Sequence, residues 1–495
     1  MDPDVIIVGA GPTGLTLACG LQAAGVGVRV LDGAAGPAVT SRALGLQPRG
    51  VEVLDRIGAL GNLPDRGLPI NRVVVVVEGK ELATLRIGQA MRRLHGPAGL
   101  LMSQADIEST LRDRLAALGG TVEWGRRVNV LEAGSDAVTV QLDDGTAIRA
   151  RWIVGADGAH SIVRKSAGIA FPGVPLIERF LLADVHADLD RPRDATVAWV
   201  RGTKMLAAFP LPGADLWRLM APAPTEFGDD PGRDDIVEYL GARLDAEAGG
   251  TVRSIEWTST FRIQRRLADA YRRGPVLLAG DAAHIHSPFG GQGMNTGMGD
   301  AENLAWKLAL VVGGRADEAL LDTYEAERRP IAKNVVATTS GVTELVVSGG
   351  WAARLLRDRL VVPTMNREWL QRLIAEKSSQ LQISYRRGPL GVSGWRPVRG
   401  PQVGDRVPDR ACTRTDGTTT RLYAELGPQW ALLGPESLAE AARARLGDVV
   451  TLRDDGRDAT LVRPDGHIAW SGDDAGMLHA WLDRVLGRCA GVLAQ

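Results

Sequence analysis

The sequence predicts a mixed α/β protein (α+β overall) in which a parallel-sheet domain is interrupted by an antiparallel sheet and followed by a small α/β unit. Three observations predict this architecture. Residues 4–32 form a complete strand–helix–strand pattern, and a buried apolar strand of the same kind returns at Val276–Asp281. Between them, residues 176–260 carry alternating stretches separated by Pro/Gly breaks, which is typical of antiparallel strands. Residues 410–495 follow a segment rich in Pro, Gly and charge, which indicates a separate unit.

The composition indicates a large globular protein without an acidic or basic bias. The chain has 495 residues, with 58 basic and 59 acidic side chains. This balance argues against a nucleic-acid partner, and the lack of a long uncharged apolar run argues against a membrane-spanning helix. Cys19, Cys412 and Cys489 match neither a disulfide framework nor a metal-ligand spacing. We therefore expect a cytoplasmic protein that binds no nucleic acid, no membrane and no metal.

The first motif is a glycine-rich turn between a buried strand and a helix. The strand Val5–Val8 is followed by Gly9-Ala10-Gly11-Pro12-Thr13-Gly14, and then by an apolar helix predicted over Leu15–Ala24. A second strand, Val28–Leu31, ends in Asp32. The strand, glycines, helix, strand and acid occur in the order of a Rossmann-like dinucleotide-binding unit of the GxGxxG type.

Each key residue of this unit has a physical role in holding a dinucleotide. Gly9 permits the tight turn, Gly11 lets the backbone approach a pyrophosphate, and Gly14 allows the helix to pack closely on the strand. The helix N-terminus offers free N–H groups to the phosphates. Asp32 stands where a carboxylate accepts from a ribose hydroxyl. The pattern predicts a dinucleotide cofactor but does not distinguish NAD from FAD.

Two further motifs follow at later strand ends. Gly155-Ala156-Asp157-Gly158 would, taken alone, be a turn. Gly280-Asp281-Ala282-Ala283-His284 ends a strand where ligands bind in open α/β sheets, and a carboxylate there can accept from ribityl or ribose hydroxyls. The glycine-rich run at 290–295 frees backbone N–H groups for an anionic ring edge, and a long helix predicted over Met298–Val312 adds its N-terminal dipole.

Hydrophobic periodicity predicts the remaining elements more coarsely. They are a strand over Val73–Val77, a helix over Ala105–Leu118, a hairpin of Val138–Leu142 with Ala147–Trp152, strands over Ala195–Val200, Met205–Phe209, Trp430–Leu433 and Ala459–Val462, and a last helix near Ala475–Leu486.

Together the three motifs resemble the signatures of one enzyme family. The segments GAGPTG, GADGAHSIVR and LLAGDAAHIHSPFGGQGMNTGMGDAENLAWKLAL resemble those of the group A flavoprotein aromatic hydroxylases. The resemblance covers about residues 1–395 in order and spacing. It is strongest to the bacterial enzymes that act on polycyclic aromatic polyketides and related antibiotics.

The resemblance implies a fold like that of p-hydroxybenzoate hydroxylase, in which an inserted sheet covers the substrate beside an FAD-binding domain. The FAD-binding domain would comprise residues 1–72, 98–175 and 263–395, the substrate domain 73–97 and 176–262, the linker 396–409, and a thioredoxin-like domain 410–495. This last domain has no CxxC pair. We therefore interpret it as structural or dimer-related, and a homodimer is one expected assembly.

The resemblance also implies which residues hold the cofactors. Non-covalent FAD would be bound through the three motifs and two positions between them: Gly9, Gly11, Gly14, Asp32, Arg42, Gln104, Asp157, Gly158, Asp281, Gly293, Met294 and Asn295. Within this set, Asp157 and Gly158 are associated with both FAD and NAD(P)H. Pro288 would lie near the reactive flavin carbon. Asp32 departs from the family pattern, which commonly has Glu, so its ribose contact is expected to be longer or water-mediated.

The implied reaction is hydroxylation of a polycyclic phenol or quinone. NADPH or NADH would reduce FAD, and the reduced flavin would take up O2 as a C4a-hydroperoxide whose distal oxygen a phenolic ring attacks. The same cofactor acting on a ketone would give a Baeyer–Villiger oxygenation, and the sequence does not separate the two. A flavin halogenase is disfavoured because the chain has no GWxWxIP-type segment. The intact motifs argue against an antibiotic-binding protein that has lost turnover.

The side chains that act on the substrate are less defined. His284 and His286 flank the third motif and are candidates for proton transfer, with a structural hydrogen-bonding role as the alternative. Met205, Phe209 and Trp217 in the inserted sheet are candidates for the substrate pocket, with ordinary core positions as the alternative.

Overall fold

The computed structural model describes most of the chain. The described residues are 2–39, 43–134, 137–202, 204–228, 231–286, 291–347, 359, 361–391, 400–454, 456 and 458–487. Two predicted site residues, Arg42 and Pro288, lie outside these ranges, as does Cys489.

Strands and helices follow one another along the whole of the described chain. The first third contains β1 (Val5–Val8), α1 (Pro12–Ala23), β2 (Val28–Leu31), β3 (Gly45–Leu46), α2 (Pro48–Arg56), α3 (Leu63–Arg66), β4 (Leu68–Pro69), β5 (Arg72–Val77), β6 (Lys80–Leu85), α4 (Ile87–Arg92), β7 (Leu100–Leu101), α5 (Gln104–Ala117), β8 (Val122–Glu123), β9 (Val128–Ala133), β10 (Val138–Leu142), β11 (Ala147–Ala150) and β12 (Trp152–Gly155). The middle contains α6 (Ile162–Ser166), β13 (Gly173–Asp188), β14 (Ala195–Arg201), β15 (Lys204–Pro210), β16 (Leu216–Pro222), α7 (Arg233–Ala248), β17 (Thr251–Leu267), β18 (Arg272–Arg273), β19 (Val276–Leu278), β20 (His284–Ile285), α8 (Gly293–Val312) and α9 (Asp322–Val347). The last part contains α10 (Val362–Thr364), α11 (Glu368–Ser379), β21 (Ala411–Arg414), β22 (Thr419–Arg421), α12 (Leu422–Glu425), β23 (Trp430–Leu433), α13 (Glu436–Leu446), β24 (Val449–Arg453), β25 (Ala459–Val462), β26 (Ile468–Gly472) and α14 (Ala475–Leu486).

A six-stranded sheet forms the centre of the first domain, in the order β18-β19-β12-β1-β2-β8. Its strands from β19 to β8 are parallel, with Val5 paired to Trp152 on one side and to Val28 on the other. β1 and β12 are buried along their whole length, so their apolar runs show no alternation. α1 packs so closely on α8 that a Cβ at Gly20 would lie 2.8 Å from the Cβ of Ala305.

Some predicted boundaries are wrong where glycines or a change of sheet hide the start of an element. α1 begins at Pro12 rather than Leu15, and α8 begins at Gly293 rather than Met298, because their first turns carry glycine in place of an apolar stripe. The predicted hairpin forms between β10 and β11, but Trp152 belongs to β12 of the central sheet.

An eight-stranded sheet forms the inserted region, in the order β20-β17-β13-β16-β15-β14-β5-β6. Its strand pairs are antiparallel except β14 with β5, which run parallel, so the prediction of a purely antiparallel sheet is wrong at this pair. The sheet also extends beyond the predicted segment 176–262. β13 begins at Gly173, β17 ends at Leu267, and β20 adds His284–Ile285.

The two faces of this sheet have different surroundings. One face packs against α7 through Ile236, Leu240 and Leu244. The interpretation of this region as strands alone missed α7, although these three residues recur at the four-residue spacing of a helix. We call the opposite face the inner face. Its buried members include Phe180, Leu182, Met205, Ala207 and Met220, with Phe209, Trp257 and Phe261 partly buried beside them.

The C-terminal unit is built on a six-stranded mixed sheet in the order β22-β21-β24-β23-β25-β26. β23 and β24 run parallel, and the other pairs are antiparallel. Its apolar residues join the core of the first domain, where the rings of Trp430 and Trp306 meet edge-on with centroids 5.2 Å apart. The strands predicted over Trp430–Leu433 and Ala459–Val462 and the helix over Ala475–Leu486 are confirmed.

The segment predicted as a linker is bound to the first domain over its described part. Asp405 accepts from Arg386 Nε at 2.7 Å, and Arg406 Nε donates to Glu52 Oε2 in α2 at 2.9 Å. Residues 400–409 are therefore fixed against the first domain by side-chain contacts and do not form a flexible linker.

Charged side chains are buried where the C-terminal unit meets α8 and α9. Arg463 and Asp465, in the turn between β25 and β26, are each 1% exposed. Arg463 donates to both carboxylate oxygens of Glu327 in α9, at 2.8 and 3.0 Å. Asp465 accepts from Asn303 in α8 at 3.2 Å, and Lys307 of α8 donates to Glu327 at 2.8 Å. We call these five residues the interface ion cluster.

Burial and charge act against each other within the interface ion cluster. Burial works to raise the pKa of Glu327, but Arg463 and Lys307 lower it to about 2. Burial lowers the pKa of Lys307 to about 8, although Glu327 opposes this shift. At neutral pH the cluster therefore consists of ionised pairs that have little contact with water.

The fold offers neither a membrane segment nor a metal centre over the part that is described. No helix within the described ranges combines the length and the apolar character that crossing a bilayer demands. Among the same residues, no group of three or more His, Cys, Asp or Glu is arranged to hold a metal ion. Cys19 and Cys412 are both buried free thiols.

Glu327→Gln removes the negative partner that Arg463 and Lys307 share and keeps the side-chain shape. Because Lys307 loses its buried counter-charge and Arg463 keeps only that of Asp465, we expect the free energy of unfolding to fall by about 3–5 kcal/mol near neutral pH. The folded-state pKa of Glu327 lies below its ordinary value of 4.5, so the loss is full above that pH and shrinks as the pH falls toward about 2. Urea denaturation across this range measures it.

The control for this experiment is Glu436→Gln, which breaks an exposed ion pair with Arg443. It should change the free energy of unfolding little at any pH. A loss for Glu327→Gln no larger than that of the control would contradict the role given to the interface ion cluster.

Candidate cofactor and active site

The glycine turn after β1 lies against the turn after β12. Gly9 has φ +104°, and a Cβ there would collide with the carbonyl oxygen of Ala156. A Cβ at Gly14 would collide with the carbonyl oxygen of Gly9. A Cβ at Gly11 would meet no described protein atom within 4 Å. The fold itself therefore needs glycine at 9 and 14, whereas position 11 faces space that a ligand can fill.

Asp32 is fixed at the end of β2, beside the glycine turn. Its two oxygens accept from the backbone N–H groups of Ala10 and Ala34, both at 2.8 Å. On α5, Gln104 Nε2 donates to Glu108 Oε1 at 2.7 Å. Burial raises the pKa of the Glu108 carboxyl, and the nearby charge of Asp32 adds to the rise. Asp32, Gln104 and Glu108 therefore gather at one end of the site.

Glu108 is not among the candidates that the sequence motifs indicate. It stands one helical turn after Gln104, and this four-residue spacing is the signal that could have found it.

Asp157 caps a short helix. Its Oδ2 accepts from the N–H groups of Ile162 at 2.7 Å and Val163 at 3.3 Å. Burial raises the pKa of this carboxyl, although these donors oppose the rise. The structure thus gives Asp157 a part in fixing the backbone. The expected contacts of Asp157 and Gly158 with FAD and NAD(P)H stay predictions.

The turn after β19 meets the glycine turn. Gly280 has φ +61°, and a Cβ there would lie 2.6 Å from Thr13 Oγ1. The next residue, Asp281, is exposed, and the protein packed around its carboxyl raises the pKa of that group. Because Gly280 lies against Thr13, Asp281 borders the glycine turn, and we call the space between the two turns the cofactor cleft.

The first turn of α8 closes another side of this cleft. A Cβ at Gly297 would collide with Thr13 Oγ1, so the start of α8 lies directly against the glycine turn. The N–H groups of Gly293 and Met294 have no acceptor within the helix, and the helix dipole favours an anion there. These two residues and Asn295 remain predicted backbone contacts of the flavin.

The side chain of Asn295 is committed to structure. Its Nδ2 donates to the carbonyl oxygen of Gly45 at 2.9 Å, and its Oδ1 accepts from the N–H of Gln47 at 2.9 Å. It thereby ties β3 to α8, and a Cβ at Gly50 in α2 would collide with its Oδ1.

His284 lies behind the cleft wall. It is 0% exposed, and its Nε2 is 2.7 Å from Asp300 Oδ2. Asp300 also accepts from the Gly280 N–H at 3.2 Å and from Arg328 Nε at 2.7 Å. Burial works to raise the pKa of Asp300, but Arg328 and His284 hold it below its ordinary value. This geometry favours the structural alternative, in which His284 positions the turn that carries Asp281, over direct proton transfer.

The three substrate candidates do not share one face of the sheet. Met205 and Phe209 lie on the inner face. Trp217 lies on the face that α7 covers, with the guanidinium of Arg193 4.5 Å from its ring centroid. Because successive strand residues point to opposite faces, Trp217 cannot line the same pocket as the other two. The three candidates therefore cannot line one pocket together, and Trp257, which is half-buried beside Met205 and Phe209, was not among them.

The described residues fit FAD at several points. Gly11 leaves space beside the pyrophosphate turn, Asp32 stands at one end, and Asp281 lines the cleft between them and α8. The two carboxylates suit sugar and ribityl hydroxyls, and the N-termini of α1 and α8 suit anionic groups.

Comparison with known proteins supports this assignment. Two family models match the chain: FAD binding domain over residues 2–339, and Aromatic-ring hydroxylase, C-terminal, over residues 400–489. The chain is 36% identical over 518 residues to 6-methylpretetramide 4-monooxygenase of Streptomyces rimosus, with 96% of this chain and 91% of that protein covered. It is 35% identical over 503 residues to rifampicin monooxygenase of Rhodococcus hoagii, with 98% and 99% covered.

Solved structures agree with these matches. The anhydrotetracycline hydroxylase of Streptomyces rimosus superposes with a TM-score of 0.80 at 32% identity, covering 99% of this chain and 100% of that one. Aklavinone-11 hydroxylase, solved with FAD and aklavinone, gives a TM-score of 0.79 at 27% identity, covering 98% and 99%. The fold and the site define an FAD-dependent aromatic monooxygenase.

The chain therefore belongs to the FAD-dependent aromatic-ring hydroxylases, and the resemblance stated from its motifs is confirmed. Its cofactor is FAD, with NAD(P)H as the electron donor and O2 as the oxidant. The mixed α/β fold class is confirmed at the same level.

Gly11→Leu tests whether glycine at this position is required for FAD binding or for folding. Gly11 has φ −75° and ψ −178°, which any residue adopts, and no described protein atom stands in the way of a side chain. We expect a folded apoprotein with a melting temperature close to that of the wild type. FAD affinity should fall at least about 100-fold, or roughly 3 kcal/mol, because leucine fills the pyrophosphate space.

FAD titration of the apoproteins, followed by flavin fluorescence, measures the affinity. Gly14→Leu is the matched control, since a side chain there collides with the carbonyl oxygen of Gly9 and should damage the fold itself. Retention of FAD by Gly11→Leu after purification would show that the pyrophosphate lies elsewhere.

Proposed function

We propose that this protein hydroxylates a polycyclic aromatic phenol or quinone of the antibiotic or aromatic-polyketide type, using FAD, NADPH or NADH, and O2. The observation that carries the proposal is the inner face of the eight-stranded sheet, which holds partly buried aromatic side chains on the side away from α7. The relatives act, by their names, on 6-methylpretetramide, rifampicin and anhydrotetracycline. Large ring systems of this kind match an extended aromatic surface.

A row of four side chains crosses the inner face. The strand register places Trp257 opposite Asp184, Asp184 opposite Arg218, and Arg218 opposite Phe209. Arg218 donates from Nε and Nη2 to the two oxygens of Asp184, both at 2.7 Å, and its guanidinium lies 5.2 Å from the Trp257 ring centroid. A fixed ion pair between two rings suits a substrate that combines aromatic rings with hydroxyl or keto groups.

We place FAD across the site from α1 to α8. Gly9, Gly11 and Gly14 would hold the pyrophosphate, Asp32 the adenosine ribose, and Asp281 the ribityl end. When bound and reduced, FAD supplies the activation of O2 that side chains cannot provide. The N-terminus of α8 would favour negative charge on the reduced ring, and the inner face would exclude water from it.

We assign the C-terminal unit a structural role on a thioredoxin-like fold. Its mixed sheet with α13 and α14 supports this assignment. Cys412 is buried, and burial raises the pKa of its thiol, which disfavours the reactive thiolate. A homodimer through this unit stays a prediction.

Anaerobic reduction of the bound flavin by NADPH or NADH tests the proposed activity. Polycyclic phenols and ketones are added one at a time, and the loss of visible flavin absorbance is followed. We expect the correct compound to accelerate reduction at least about tenfold, or ~1.4 kcal/mol in the barrier, because substrate binding completes the site. A compound panel that leaves reduction unchanged, with both donors, would contradict a substrate of this class.

The products formed in air distinguish the alternatives that the sequence leaves open. Hydroxylation adds one oxygen atom and a new hydroxyl to the ring, whereas a Baeyer–Villiger reaction inserts that oxygen as an ester. Mass and structure of the product of the accelerating compound therefore decide between them.

Trp257→Phe and Trp217→Phe make the same substitution on the two opposite faces of the sheet. The pair tests which of the two faces contacts the substrate. We expect Trp257→Phe to raise KM about three- to tenfold, since an aromatic contact contributes roughly 0.5–1.5 kcal/mol. Trp217→Phe should lower the melting temperature and leave KM unchanged, because Trp217 packs under α7. The reverse pattern would place the substrate on the other face.

A further inference from the structure

The turn that the C-terminal unit inserts into the first domain holds Tyr385 on two sides. Arg463 and His467, at the ends of this turn, are joined by the Arg463 N–H donating to the His467 carbonyl oxygen at 2.8 Å. The Arg463 guanidinium lies 4.9 Å from the Tyr385 ring centroid, and the His467 ring lies 4.3 Å from it. Tyr385 is 4% exposed. Its ring is therefore fixed by residues that lie some 80 positions later in the chain.

The hydroxyl of Tyr385 connects this turn to the cofactor cleft through Arg328. Arg328 donates from Nη1 to Tyr385 Oη at 3.0 Å and from Nε to Asp300 Oδ1 at 2.7 Å. Its Nη2 donates to the Thr296 carbonyl oxygen in the first turns of α8 at 2.9 Å. Asp300 in turn accepts from the Gly280 N–H. One buried guanidinium therefore contacts the start of α8 directly and the turn that carries Asp281 through Asp300.

We propose that the C-terminal unit is coupled to FAD binding through Tyr385 and Arg328, which act as positioning residues for the cleft. The inference rests on the proposed placement of FAD. Docking of the turn at 463–467 and binding of FAD stabilise the same arrangement of α8 and the Gly280–Asp281 turn. By linkage, each of the two events therefore strengthens the other.

Tyr385→Phe tests the coupling because it removes a single hydroxyl and keeps the ring between Arg463 and His467. We expect the dissociation constant of FAD to rise about tenfold, within the usual range of coupling between sites. The stabilisation of the protein by FAD, measured as the melting temperature of the holoprotein minus that of the apoprotein, should shrink in step. Both quantities are measured on the full chain, by flavin fluorescence and by thermal unfolding.

Thr451→Val is the matched control. Thr451 is also buried, but its hydroxyl accepts from Arg443 Nη2 at 2.7 Å, within the C-terminal unit. It should lower the melting temperatures of apoprotein and holoprotein equally and leave FAD affinity unchanged. If Tyr385→Phe behaves in this same way, Tyr385 is only structural and the proposal is overturned.

A measurement on the wild type keeps the test independent of how the variants fold. Reciprocal coupling requires FAD to slow amide hydrogen exchange at 463–468 more than at 411–421 in the distant strands β21 and β22. Equal slowing of both segments would overturn the proposal. The placement of FAD is judged separately, since FAD binding by Gly11→Leu at wild-type affinity would refute that placement and not the coupling.

Discussion

The burial of ion pairs between the C-terminal unit and helices α8 and α9 is the constraint on which the geometry of the cofactor cleft depends. Removing a charge from water costs several kcal/mol, so each charged member of the interface ion cluster must meet its counter-charge in a fixed geometry. Arg463 meets this condition with a two-pronged contact to Glu327, which fixes direction as well as distance. Apolar contacts between the same elements tolerate small sliding motions. The cluster therefore fixes where α8 lies more than it adds to stability, and the N-terminus of α8 is one wall of the cleft.

The other walls approach one another where the Thr13 side chain meets the backbone of two glycines. Thr13 lies against Gly280 and Gly297 at distances that leave no space for a Cβ. Among the described residues, the titratable groups that we place at the cleft are Asp32, Glu108 and Asp281. A small number of titratable side chains suits an enzyme whose cofactor carries out the chemistry. The protein contributes rigid positions, a helix dipole and a sheet that keeps water away.

Features that depend on residues close together in the sequence were predictable. Features that depend on contacts between residues distant in the sequence were not. The unit from Gly9 to Asp32 was predictable because every role in it acts within one strand–helix–strand segment. The burial of His284 was not, since it depends on Asp300 across the cleft wall and on Arg328 beyond it. The placing of Met205, Phe209 and Trp217 together has another cause. Both faces of the eight-stranded sheet carry buried apolar side chains, so the alternation that would assign residues to one face is weak.

The three glycines of the first turn are also under different constraints, from the fold or from the cofactor. A side chain at Gly9 or Gly14 is excluded by the protein, so any descendant that still folds must retain them. Gly11 faces only open space in the described structure, so under the proposed placement of FAD the cofactor alone constrains it. A lineage that stopped using FAD while keeping the fold would be free to change position 11 long before its neighbours. The identity of this one residue in distant relatives is thus a record of whether they still depend on a flavin.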